Sequence, residues 1–401
     1  MRAFILAAGE GTRMWPLTEK RPKPLIPLGN RPIIEHIMDA IVGAGLKKIT
    51  ILIGYEGRKI AEKYGYSYKG ASVDYLYQEK RLGTGNAALY AERYDDDRFL
   101  FVNGDLFFSP DIIKEMLQYE NAVLGVFKGD ASHYGILFGD DTLEKIEEKV
   151  PGAHDAWING GVYLLSRSIF SYLRKIKPSP RGELELTDAL NMMARETDIK
   201  IVRSNGPWVD IGRPWDLLEA TRIYLDSLDP INEGTIEDNV TIKGKVRVGK
   251  GTVIKSGTYI EGPVLIGENC VIGPNSYIRP YTVLGDNCHV GNFSEIKASV
   301  IMQGTKIPHF NYVGDSIIGE NCNLGAGTKI ANLRLDEKNV RVYVKGKLED
   351  TGRRKLGVIM GDGVHTGINV SIDVGTVIGY GVHIAPGAVV RGVIGNNARI
   401  Y

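Results

Sequence analysis

An aliphatic residue recurs every six positions through Ile260, Ile266, Ile272, Ile278, Leu284, Val290 and Ile296, and Gly267, Gly273, Gly285 and Gly291 each follow one of these leaders. Hexapeptide repeats specify a β-helix, whose coils stack into one continuous core. After a change of register the pattern resumes at Ile318, Leu324 and Ile330, and again at Ile372, Ile378, Ile384 and Val390. Four positions beyond a leader the residue is small: Cys270, Ser276, Thr282, Cys288, Ser294, Cys322 and Thr328. These small residues read as interior packing. Cys270 and Cys288 stand one three-sided coil apart, so they are expected to stack. A coil interior lacks the polar, electropositive setting that a reactive thiol needs. Neither the cysteine count nor its spacing suggests a disulfide framework or a zinc site.

The chain before residue 230 is built differently. Glycine supplies 22 of the first 230 residues but 27 of the last 171, and all four tryptophans (Trp15, Trp157, Trp208, Trp215) lie in the first part. The turn formers from Ser227 to Gly234 mark a connector, which divides the chain into domains 1–228 and 229–401. In the first domain short apolar runs (Ala3–Ala7, Lys48–Ile53, Phe99–Val102) alternate with stretches of helical period (Pro32–Val42, Ser109–Leu117). This is the pattern of an α/β fold, an open sheet with helices on both faces. Ligands of such sheets sit at the carboxyl ends of the strands. A net charge of +1 favours neither nucleic acid nor a membrane surface. The apolar start at Met1–Gly9 is too short for a signal segment or a membrane span, so a cytoplasmic protein is expected.

Chemistry concentrates at the ends of the predicted strands. Leu6-Ala7-Ala8-Gly9-Glu10-Gly11-Thr12-Arg13-Met14 follows the first strand, where glycines let backbone N–H groups approach phosphate oxygens. It is neither a dinucleotide fingerprint nor a Walker A loop. Arg13 within the loop and Lys23, braced between Pro22 and Pro24, supply cations for a triphosphate. Phe101-Val102-Asn103-Gly104-Asp105 ends a strand in a carboxylate, and Trp208-Val209-Asp210-Ile211-Gly212 supplies a second. Two hard oxygen ligands, completed by substrate phosphates, suit Mg²⁺. Gln78 and the segment Leu82-Gly83-Thr84-Gly85-Asn86 offer amide, hydroxyl and bare backbone groups able to read a base edge.

Together these motifs resemble the sugar-1-phosphate nucleotidylyltransferases, over about residues 1–225. The resemblance implies that Leu6, Ala8, Gly9, Gly11 and Thr12 hold the nucleotide, that Arg13 and Lys23 offset phosphate charge, and that Gln78, Gly83 and Thr84 contact the base. It further implies Mg²⁺ on Asp105 and Asp210, and a sugar phosphate lined by Tyr134, Gly135, Glu148, Lys149, Asn159 and Gly160. The stretch Arg181-Gly182-Glu183-Leu184-Glu185-Leu186-Thr187-Asp188 matches thymidylyltransferases, whereas Leu82-Gly83-Thr84-Gly85 matches uridyltransferases, so both UTP and dTTP stay open.

A second constellation interrupts the hexads: Lys306-Ile307-Pro308-His309-Phe310-Asn311-Tyr312-Val313-Gly314-Asp315, then Asn323 to Thr328, then Asn332. A histidine in polar surroundings can serve as a near-neutral general base. The stretch is similar to the acetyltransferase domain of the bacterial bifunctional uridyltransferase/glucosamine-1-phosphate acetyltransferases, over about residues 235–395. That resemblance implies a left-handed parallel β-helix, a homotrimer, and acetyl-CoA as co-substrate. By the same resemblance His309 takes a proton from the glucosamine amine, Arg279 and Lys297 hold the sugar phosphate, Tyr312, Asn323, Asn332 and Lys338 orient the sugar, and Ala326 lies near the thioester. Leu333 departs from the tyrosine usual after the asparagine. Domain order and the two motif sets together resemble the archaeal bifunctional sugar-1-phosphate nucleotidylyltransferase/acetyltransferases. The basic excursion from Leu333 to Gly357, with Arg353, Arg354 and Lys355, is expected to meet the phosphates of CoA. Two other readings are a monofunctional pyrophosphorylase with a structural β-helix and a non-catalytic subunit of a translation-initiation exchange factor.

Overall fold

The computed structural model describes residues 1–401 apart from Arg81 and Arg181. Two compact units share the chain: Met1–Glu10, Pro22–Leu25 and Ile33–Asp210 form the first, and Gly11–Arg21, Ile26–Pro32 and Ile211–Tyr401 form the second.

The first unit is built on a ten-stranded mixed sheet. The strand Arg2–Ala7 lies between Lys48–Ile53 and Arg98–Asn103, parallel to both, and His154–Ser166 adds to Arg98–Asn103 in the antiparallel sense. Phe4, Phe99 and Phe101 pack on one face with Ala87, Ile169, Phe170, Leu186 and Leu190 from short helices. Ala3 and Ile5, which point the other way, are equally buried. A sheet covered on both faces reads as such continuous apolar runs. The parallel strands place the loops after Ala7 and Asn103 at one end of the sheet.

Opposite that end, at the start of the first strand, Asp96 collects the Met1 ammonium, the Arg2 guanidinium and the Lys48 ammonium, each at 3.1 Å. Arg2 also reaches Asp74 at 2.7 Å and lies over the Tyr94 ring. Burial alone would raise the Asp96 pKa, but the hydrogen bonds from Lys48, Met1 and Arg2 outweigh it and hold it at about 2. The folded pKa lies below the unfolded one, so this carboxylate stabilises the fold above about pH 4 and ceases to as pH falls towards 2. Asp96→Asn is expected to remove about 2 kcal/mol at pH 7. Thermal midpoints measured from pH 7 to pH 2 check this: the gap between variant and native protein should close below pH 4.

The second unit contains a left-handed parallel β-helix of three sheets, with nine, nine and eight strands. The hexad leaders Ile260 to Ile296 form its interior, together with Ile318, Leu324, Ile330, Ile372, Ile378, Ile384 and Val390. The register change has a local cause. Val264 pairs with Thr282, 18 residues on, but Val283, Val300 and Ile317 pair at intervals of 17. One residue is missing from the corners at Ala298 and Asp315, both of which have positive φ. Cys270 and Cys288 occupy adjacent coils as expected, since Val271 pairs with His289. All three cysteines are buried and free. Burial pushes the Cys288 and Cys322 thiols up to about 12 and raises that of Cys270, so they stay protonated near neutrality. The excursion from Leu333 forms an antiparallel hairpin, Arg341–Val344 with Lys347–Asp350.

Candidate active sites

In the first unit Gly104 sits against the end of the first strand. Its N–H donates to Leu6 O at 2.9 Å, and a Cβ there would lie 3.0 Å from the Ala7 side chain. Only glycine permits this approach, which sets Asp105 beside the loop after Ala7. The strand Trp208–Asp210 pairs antiparallel with Leu106–Phe108, with Asp210 opposite Leu106. Asp105 and Asp210 therefore share one end of this ribbon. Lys23 Nζ reaches Asp105 Oδ2 at 2.6 Å and is itself only 8% exposed. Pro22, Lys23 and Pro24 are all buried, as a braced cation requires.

Other residues singled out in the sequence have partners of their own in the first unit. Gln78 is buried, and its amide donates to Asn86 Oδ1 at 3.1 Å. The segment that follows is stitched to Leu184 and Leu186: Gly85 N donates to Leu184 O, and Leu186 N donates to the Thr84 hydroxyl at 3.0 Å. Gly83 lies so close to Leu184 O that a Cβ would stand 2.4 Å from it. Arg181, in the stretch read with these residues, lies outside the described residues.

Gly135 pairs with Glu148, whose carboxylate folds over it and accepts from the Thr187 hydroxyl at 3.1 Å. Lys149 N donates to Tyr134 O, and the Tyr134 ring meets Trp208 edge-on. Asn159 stands at an irregularity in its strand, donates to the Tyr163 hydroxyl at 2.8 Å and receives Gly161 N. Trp208 Nε1 donates to Gly160 O. Glu148 and Lys149 also line a cavity of about 780 Å³ with Lys175, Lys177, Glu185 and Arg195. Of the nucleotide loop, Leu6, Ala8 and Gly9 belong to the first unit, while Gly11, Thr12 and Arg13 belong to the second. Gly11 is left-handed, with φ 65°, and opens a 3₁₀ turn on which Thr12 and Arg13 are exposed.

In the β-helix a single carboxylate organises the other constellation. Asp315 is 6% exposed and receives both Lys297 Nζ at 3.1 Å and Asn332 Nδ2 at 2.5 Å. Gly314 lies beneath Asn332 and Tyr312: a Cβ there would stand 2.6 Å from Asn332 Nδ2 and 2.7 Å from the Tyr312 hydroxyl. Lys297, Tyr312, Asp315 and Asn332 thus converge. Arg279 instead pairs with Glu295 at 2.7 Å. His309 occupies an exposed corner beside Phe310, which stacks on Phe293. Among the described residues the His309 ring has no hydrogen-bond partner. The His309 carbonyl accepts Gly327 N in the coil that also carries Asn323 and Ala326. Lys338 is exposed at the start of the hairpin excursion, and Arg354 pairs with Glu337 there.

Residues 2–227 match the family described as Nucleotidyl transferase, and residues 260–348 match the GMPPB C-terminal domain. A bifunctional sugar-1-phosphate nucleotidylyltransferase/acetyltransferase of Sulfurisphaera tokodaii is 46% identical, over 98% of each chain. The chain belongs to the bifunctional sugar-1-phosphate nucleotidylyltransferase/acetyltransferase family. A Methanococcus maripaludis relative named bifunctional protein GlmU is 48% identical over the whole of this chain and 97% of its own. The structure of a Bacillus anthracis protein described as a glucose-1-phosphate thymidylyltransferase superposes with a TM-score of 0.53 at 29% identity, covering 58% of this chain and 98% of that one. No helix among the described residues is long and apolar enough to cross a membrane.

For a member of this family, the reading of the sequence assigned no role to several polar groups that the structure sets beside the residues it did assign. Tyr163 is buried beneath Asn159, and burial, with Glu148 and Glu185 nearby, raises its pKa so that it keeps its proton. Its position four residues beyond Asn159 was the available signal. Glu185 and Thr187 lie within the stretch quoted above and are both buried. Asp315 and Glu295 were equally visible, but only the stacking of coils shows that they hold the cations.

Proposed function

We propose that residues 1–228 transfer a nucleotidyl group from UTP or dTTP to glucose 1-phosphate or N-acetylglucosamine 1-phosphate, releasing pyrophosphate, and that residues 229–401 acetylate glucosamine 1-phosphate with acetyl-CoA. For the first reaction the supporting observation is the buried Lys23 held at 2.6 Å on Asp105, with Asp210 on the paired strand. A phosphate oxygen of the sugar attacks the α-phosphorus in line, and pyrophosphate leaves. Arg13 and Lys23 offset the charge that develops on the phosphoryl oxygens, and no side-chain nucleophile is needed. Glu148, Lys149, Asn159 and the Tyr134–Gly135 turn orient the sugar, while Gln78, Gly83 and Thr84 face the base.

Asp105 and Asp210 present two hard oxygen donors and suit Mg²⁺. Among the described residues no cluster of three or more His, Cys, Asp or Glu side chains could hold a metal, so the remaining ligands would be phosphate and water oxygens. When bound, Mg²⁺ supplies charge neutralisation at the triphosphate.

For the second reaction the support is the convergence of Lys297, Tyr312, Asp315 and Asn332. Lys297 and Arg279 take the sugar phosphate, and Tyr312, Asn323, Asn332 and Lys338 the hydroxyls. The amine nitrogen forms a bond to the acetyl carbon, its proton passes to His309, and the CoA thiolate departs. Ala326 lines the path of the thioester. The proposed assembly is a homotrimer, typical of the β-helical families the chain resembles, and the proposed compartment is the cytoplasm.

A panel crossing glucose, glucosamine and N-acetylglucosamine 1-phosphates with UTP, dTTP and acetyl-CoA tests both assignments. Mg²⁺-dependent pyrophosphate release and liberation of CoA thiol with glucosamine 1-phosphate are expected. No pyrophosphate with any pair, or no thiol with any sugar, would remove the corresponding activity.

A further inference from the structure

The segment Gly11–Arg21 carries Thr12 and Arg13 on an exposed turn, yet its other end is anchored to coils of the β-helix within the same unit. Arg21 is 8% exposed. Its Nη2 donates to Asp362 Oδ2 at 2.7 Å and lies 3.0 Å from Glu320 Oε1. Its Nη1 faces Leu17 O at 3.5 Å and Met302 Sδ at 3.6 Å. Asp362 is fixed in turn, because its other oxygen accepts Glu320 N at 2.8 Å. Beside this pair, Lys20 Nζ lies 4.1 Å from the Tyr380 ring centroid.

From that anchor a chain of short bonds runs back to the exposed turn. Leu17 N donates to Met14 O at 2.9 Å, Met14 N to Gly11 O at 2.8 Å, and the Thr18 hydroxyl to Gly11 O at 3.1 Å. Met14, Pro16, Leu17 and Thr18 are buried, so the segment is a closed knot that projects Thr12 and Arg13 at one end and Lys20, over Tyr380, at the other. The Arg21 guanidinium is taken up by two carboxylates and leaves no face for substrate. A bidentate-capable fork between two acids fixes orientation as well as charge, which a lysine does less well.

We infer that Arg21, held by Asp362 and Glu320, is a positioning residue for nucleotidyl transfer: the β-helix sets the geometry of the loop that binds the triphosphate. This rests on the nucleotidyl-transfer reading above. A binding loop tied at its base binds without a large ordering cost, so loosening the tie weakens triphosphate binding selectively.

The test uses the full chain with Arg21→Ala, Arg21→Lys and Asp362→Asn, assayed well below the unfolding temperature. Arg21→Ala and Asp362→Asn should raise KM for the nucleoside triphosphate about 10-fold, the scale of one lost charged hydrogen bond. KM for the sugar 1-phosphate and both acetyl-transfer constants should hold, and Arg21→Lys should fall between. A triphosphate KM within twofold of the native value in both variants overturns the inference. So does a fall in kcat at unchanged KM, which reports only a smaller folded fraction. Absence of pyrophosphate release by the native chain would instead sink the functional reading.

Discussion

Asp105→Ala and Lys23→Ala should each lower nucleotidyl transfer by about 10²–10³, the usual cost of removing one preorganised electrostatic group from a transition state. The two residues touch at 2.6 Å, and Lys23 is buried between prolines. They are therefore coupled, and the double variant should lose less than the product of the single losses. Lys23→Arg should not restore the rate, because the wider guanidinium does not fit the site of a buried ammonium. The acetyl-transfer rate of the same preparations is the control and should remain. Initial rates of pyrophosphate release at saturating Mg²⁺ decide the matter. Retention of more than a tenth of the native kcat/KM in either single variant would show that this pair does not carry the charge of the reaction, and a parallel fall in acetylation would contradict separate sites.

His309→Ala should suppress acetyl transfer by roughly 10²–10⁴, the contribution of a positioned general base. The substitution is structurally clean. His309 is exposed at a corner, and its backbone bond to Gly327 does not depend on the side chain. Nucleotidyl transfer to N-acetylglucosamine 1-phosphate should be nearly unchanged, and the thermal midpoint should move little. Asp315→Asn acts elsewhere in the proposed site: it would free Lys297 and Asn332 from their common partner and should raise KM for the amino sugar rather than abolish turnover. Full acetyltransferase activity of His309→Ala at neutral pH would leave His309 a corner residue only.

The sequence by itself determined the β-helix, because a six-residue period with small interior residues has one way to bury its apolar face. Every leader from Ile260 to Ile296 lies in that core. It also determined the α/β unit, through apolar runs short enough for buried strands and the polar motifs at their ends. The family was legible for the same reason: loop chemistry such as Gly104-Asp105 or Asn159-Gly160 depends on local backbone approach, which leaves glycine and its neighbours in fixed spacing.

What the tertiary structure decided is which charges meet. Nothing in the spacing of Lys297, Asp315 and Asn332 shows that one buried carboxylate receives both donors. That follows from the stacking of coils, which pairs Lys297 with Gly314 and so sets Lys297 and Asn332 against Asp315. Likewise Arg21 and Lys23, two residues apart, find acids at Asp362 and Asp105, far along the chain in different units. Periodicity records how each element buries its own side chains; ion pairs between distant segments are chosen only when the packed backbone fixes their distances.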